Sequence, residues 1–236
     1  MKFERLLEFC STVDASAPPD DIRIQLPKAL QQVPEVFKPY EESLQKLDPE
    51  NWEIVKQKLI ARVTKHLLRG WAQFYESLAE VRGFSYLLDS GYNDVKFIPE
   101  VNNARTPDIE AKNPKGKGCL LESKNIGFSD DERSYVLENT RRLLSKDENL
   151  VIRDVTQGMP DELKNKILST VASAKEQLLG YLPDDKSIER IVYLTLHMDT
   201  HMIISMDNRV EVINFLNKLV REETEVKIVR DELSAI

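Results

Sequence analysis

The stretch TPDIEAKNPKGKGCLLESKN, residues 106 to 125, places Asp108 directly after Pro107, and Glu122 two positions before Lys124. Two carboxylates and an ammonium so spaced suit metal-assisted hydrolysis. In a strand, residues two apart share a face, so Glu122 and Lys124 project together while Ser123 points the other way. A hairpin that folds Asp108 against Glu122 sets two carboxylates on one face, where they repel unless a cation sits between them. Hard oxygen ligands of this kind suit Mg²⁺ or Mn²⁺. The Lys124 ammonium beside such an ion can polarise a water and offset charge on a phosphoryl oxygen, which is phosphodiester hydrolysis. The alternative is a hairpin whose charges face solvent. Acid-x-Lys alone does not decide, because it recurs at Asp94 and Lys96, Glu110 and Lys112, Glu162 and Lys164, Asp184 and Lys186, and Glu225 and Lys227.

The elements around the stretch set Asp108 and Glu122 apart from these repeats. VKFIPE at 95–100, PDIEA at 107–111 and GCLLESKNI at 118–126 read as strands, and NPKGKG between the last two is a hairpin turn. Ahead of them, Trp71 to Leu88 reads as one amphipathic helix with Phe74, Leu78, Val81, Tyr86 and Leu88 as apolar positions, stopped at Ser90-Gly91. After them, Ser129 to Glu132 forms a capping box for a helix to about Lys146. LVIRDV at 150–155 follows as a short strand, then a helix from about Pro160 to Leu179. IERIVYLTLHM at 188–198 is the strongest strand signal, with HMIIS at 201–205 as continuation or partner. A helix at 209–222 and a strand VKIVRD at 226–231 complete the order. Residues 1–70 read as helical, interrupted by prolines at 18, 19, 27, 34 and 39, with Asp48-Pro49 opening a helix through Trp52, Val55, Leu59, Val63, His66 and Leu67.

Composition narrows the classes. The chain has 236 residues, 31% charged and 41% hydrophobic, and no run of the eighteen or so apolar residues a membrane helix needs. Its start lacks the pattern of a secretory signal. Cys10 and Cys119 lie too far apart for a disulfide framework or a cysteine-rich zinc site, so a cytoplasmic protein with buried thiols is expected. A net charge of −7 argues against a generally basic nucleic-acid surface, without excluding a basic groove near Lys112, Lys115 and Lys117 or Arg133, Arg141 and Arg142. Trp52, Phe74, Tyr75 and Phe84 fall at helical spacing and read as core. His197-Met-Asp199-Thr-His201 is a rival metal pattern, more simply a polar strand end.

Pro107-Asp108 followed by Glu122-x-Lys124 resembles the PD-(D/E)XK nuclease superfamily. Glu80, in FYESLAEVRGF, stands where that family carries an acid on the helix before its first strand, with Glu76 one turn earlier as rival. Gln177 and Tyr181 in EQLLGY resemble a glutamine-tyrosine element of exonuclease-like members. The resemblance implies an α/β, restriction-endonuclease-like fold: a mixed central sheet flanked by helices over residues 71–236, preceded by an all-helical region at 1–70. It implies that Asp108, Glu122 and Glu80 ligate Mg²⁺ or Mn²⁺, with the Ser123 carbonyl completing the shell and Lys124 as catalytic cation. It further implies a nucleic-acid substrate, DNA before RNA, and no membrane. The N-terminal region would serve dimerisation, as in a homodimer, or substrate positioning. The other outcome is a catalytically inactive nuclease-fold protein that binds nucleic acid or protein.

Overall fold

The computed structural model describes residues 2–19, 21–65, 70–99, 105–126, 161–196 and 206–231. Four helices come first: α1 (Glu4–Cys10), α2 (Ile22–Gln32), α3 (Pro34–Gln45) and α4 (Pro49–Lys65). Their ends follow local chemistry. Asp48 Oδ1 accepts the Asn51 N–H at 2.8 Å ahead of Pro49, so α4 begins where the proline signal predicts. Trp52, Val55, Leu59 and Val63 are all buried; His66 and Leu67 lie outside the described residues. Pro34 opens α3, but Pro27 and Pro39 sit inside α2 and α3 instead of interrupting them. An interior proline costs about 3 kcal/mol, and burial of Leu26, Leu30, Phe37 and Tyr40 around the two offsets it. The N-terminus of α1 is capped from a distance, by the fully buried Glu41 carboxylate accepting from the Arg5 and Leu6 N–H groups at 2.9 and 3.1 Å.

The long helix α5 (Gly70–Asp89) ends in a Schellman turn, with the Tyr92 N–H on the Leu87 carbonyl, the Gly91 N–H on the Leu88 carbonyl, and Gly91 at φ +78°. Phe74, Leu78, Val81 and Phe84 form its inner face, continued by Leu87, whereas Leu88 is 38% exposed and Tyr86 half-buried. The strands β1 (Asn93–Phe97), β2 (Ile109–Lys112) and β3 (Gly118–Ile126) follow, then α6 (Asp161–Gly180), β4 (Glu189–Leu196), α7 (Met206–Glu222) and β5 (Lys227–Arg230). The turn between β2 and β3 is tied by Asn113, whose Oδ1 accepts from the Lys115 and Lys117 N–H groups, and Gly116 supplies φ +77°.

The five strands form one mixed sheet in the order β1-β2-β3-β4-β5. The first three pair antiparallel, and β3, β4 and β5 run parallel. The chain is thus an α/β protein with an open mixed sheet. Lying between β3 and β5, β4 is buried on both faces, which explains its apolar Ile191 to Leu194 run. On one face Ile109, Ala111, Cys119, Leu121, Ile191 and Tyr193 join a core continuous with α5 and α1 to α4. On the other, Leu120, Ile126, Val192 and Leu194 pack against α6 and α7 through Ile167, Ala174, Leu178, Val212 and Leu216. Both cysteines are free and buried. Among the described residues no helix is long and apolar enough to cross a membrane. The predicted helix after Ser129, the strand at 150–155, the HMIIS segment, His197, Asp199, His201, Arg133, Arg141 and Arg142 lie outside the described residues.

Candidate active site

Strand β2 starts at Ile109, opposite Leu121, so β3 runs on from Glu122 to Ile126 beyond the end of its antiparallel neighbour. One more step of that register sets Asp108 across from Glu122. There the Asp108 carboxylate takes a hydrogen bond that a strand would otherwise claim: its Oδ2 accepts the Ser123 N–H at 2.7 Å. The backbone of Asp108 is held as well, its N–H on the Leu121 carbonyl and its carbonyl on the Ile98 N–H.

Glu122 and Lys124 project together on the α6 face of β3, and the Lys124 ammonium donates to Glu122 Oε1. Glu122 is 2% exposed. Its other oxygen, Oε2, accepts from Gln177 Nε2 of α6 at 2.8 Å, and the same amide nitrogen reaches the Thr106 carbonyl at 2.6 Å. Gln177 therefore ties the acid on β3 to the segment that carries Asp108. Tyr181, by contrast, packs beside the apolar cluster of the α6 face.

Glu80 arrives from the opposite face, on α5. A Cβ added at Gly83 would lie 2.6 Å from Ser123 Oγ and 2.9 Å from Leu121 Cδ2, so the helix backbone sits directly on β3 one turn beyond Glu80. Glu80 is buried, whereas its rival Glu76 faces solvent. Two cations of α4 close on it: Lys58 Nζ at 2.6 Å from Oε2, and Arg62 Nη1 at 3.0 Å from Oε1, with Arg62 also donating to Ser77 Oγ. Sequence reasoning missed Lys58 and Arg62. Their signal was a pair of like charges four apart on one helix face, which is unfavourable unless an acid lies across from it.

The carboxylates share one electrostatic environment. Burial raises the Asp108 pKa well above the usual carboxylate range, the charges of Glu80 and Glu122 raise it further, and the Ser123 N–H and Lys58 only partly counter this. Burial likewise lifts Glu122, opposed by Lys124 and reinforced by Glu80. A carboxylate from each sheet face thus acts electrostatically on Asp108, just ahead of the start of β2. As the side chains stand, no group of three or more metal-ligating residues is assembled among the described residues. Glu80 is turned on to Lys58 and Arg62, and Glu122 on to Lys124 and Gln177. The donor chemistry nevertheless fits a hard divalent cation: buried and half-buried carboxylate oxygens, with further negative charge acting on Asp108 and Glu122.

Comparison with protein-family models, with curated proteins and with solved structures gave no match to this chain.

Proposed function

We propose that the protein is a Mg²⁺- or Mn²⁺-dependent nuclease of restriction-endonuclease-like fold that hydrolyses phosphodiester bonds, in DNA before RNA. The observation that carries this reading is that Glu80 and Glu122, from opposite faces of the sheet, both act electrostatically on Asp108 beside the start of β2, with the Lys124 ammonium on Glu122. Asp108 and Glu122 would hold the cation, with Glu80 and the Ser123 carbonyl as further oxygen donors. Bound there, a divalent ion supplies Lewis-acid polarisation of a phosphate and of water. Lys124 keeps an ammonium beside Glu122, where it neutralises charge on a phosphoryl oxygen, and Gln177 fixes the orientation of Glu122.

The test is cleavage of plasmid, single-stranded DNA and RNA with Mg²⁺ or Mn²⁺. Loss of at least about 100-fold in Glu122→Ala and Lys124→Ala is expected. Cutting by those variants at the parent rate sinks the assignment. A second reading, a nuclease-fold protein that binds nucleic acid or protein without turnover, draws on the pairing of Glu80 and Glu122 with the protein's own cations. Nucleic-acid binding without cleavage under either metal would favour it.

A further inference from the structure

The acidic site contains as many described cations as acids: Lys58, Arg62 and Lys124 stand against Glu80, Asp108 and Glu122. Only Lys124 comes from the strand that carries the motif. Lys58 and Arg62 lie one turn apart on α4, in the helical region ahead of the nuclease-like part, and both converge on a carboxylate whose side chain is 8% exposed. Arg62 is held by a second bond to Ser77, one turn back from Glu80 on α5, so its guanidinium is aimed from two points. Burial and the neighbouring Arg62 work against the charge on Lys58, but Glu80 and Asp108 together more than offset them. A surface ion pair would show neither this burial nor a second acid in range.

Resting on the nuclease reading, we infer that Lys58 and Arg62 are positioning residues that act as built-in counterions of the metal site. They hold the Glu80 carboxylate from α4 and set how tightly the site takes a divalent cation. Three consequences follow from electrostatics alone. An incoming ion meets carboxylates whose charge is already balanced, so binding by the ion alone is weak. Removal of one α4 charge leaves the acids in excess and tightens binding. A cation of different shape at the same place preserves the parent affinity.

The experiment is calorimetric titration of the full chain with MnCl₂ or MgCl₂ and no nucleic acid, on parent, Lys58→Gln, Arg62→Gln and Lys58→Arg. Glutamine keeps a hydrogen-bond donor for Glu80 while removing the charge, and circular dichroism checks that each variant is folded. Expected is binding tighter on the order of tenfold in Lys58→Gln, a change of the same sign in Arg62→Gln, and Lys58→Arg within about twofold of parent. Unchanged or weaker binding in both glutamine variants, with the parent binding metal, overturns the counterion role and leaves the nuclease reading standing. Absence of binding in parent and variants alike overturns both.

Discussion

At the scale of single residues, the site is held in a state that function would favour and stability would not. Asp108 is surrounded by burial and by two other carboxylates, and its ordinary charge is disfavoured for both reasons. Asp108→Asn keeps an oxygen able to accept the Ser123 N–H but removes the charge. On the nuclease reading the variant is expected to lack cleavage and, without metal, to melt about 2–4 °C higher than the parent, which corresponds to about 1 kcal/mol in a chain of this size. Added Mn²⁺ should raise the melting temperature of the parent and leave that of the variant unmoved. A variant that melts lower than the parent without metal would show that the carboxylates do not strain the fold. Gln177 was legible in the sequence only through a resemblance; its actual work, joining Glu122 to the Thr106 carbonyl, needed the packing of α6 on β3.

At the scale of elements, the decisive contact is α5 on β3. Helix α5 was readable from its apolar positions, but the choice of Leu87 over Leu88 was not, because adjacent leucines differ only in which way the Schellman turn draws the last coil. Gly83 marks the closest approach. Alanine there gains about 1 kcal/mol of helix propensity, yet its Cβ meets Ser123 Oγ and the fully buried Leu121. Gly83→Ala is therefore expected to destabilise by about 1–3 kcal/mol net, read as a lower urea midpoint. Because the helix must back away from β3, Glu80 moves with it, and on the nuclease reading metal affinity should fall. A higher midpoint would mean that the interface yields freely.

At the scale of the whole molecule, the helices ahead of the sheet share its core from Leu6 and Phe9 through Phe74 to Tyr193. The same region carries a buried ion pair that should set the acid limit of stability. Arg23 donates to both oxygens of Asp21 at 2.7 and 3.0 Å, and the Arg23 N–H caps the same carboxylate at 2.8 Å. The side-chain bond from Arg23 is the largest cause holding Asp21 below the usual carboxylate pKa. The native chain thus binds fewer protons there than the unfolded chain does. Stability from this group is complete above the ordinary carboxylate range and is lost as pH falls through the lowered native value. Urea midpoints at pH 7 and pH 3 should show a steeper acid loss in the parent than in Asp21→Asn, which starts lower. Parallel losses in the two would assign acid sensitivity to other carboxylates.

What the sequence determined by itself were the things governed by neighbours along the chain. The strand Gly118–Ile126, the turn built on Asn113 and Gly116, the cap at Asp48 and the shared face of Glu122 and Lys124 all follow from alternation, turn chemistry and hydrogen bonds within a few residues. Tertiary structure decided what those rules cannot reach. Glu80 prevails over Glu76 only because α5 turns one inward and the other to solvent. Lys58 and Arg62 enter the site only because α4 lies along α5, and Asp108 finds the Ser123 N–H only because β2 starts one residue after it. Burial and charge act through space, so the same acid-x-Lys spelling faces solvent at Glu110 and Lys112 but sets a half-buried ammonium on a buried carboxylate at Lys124 and Glu122.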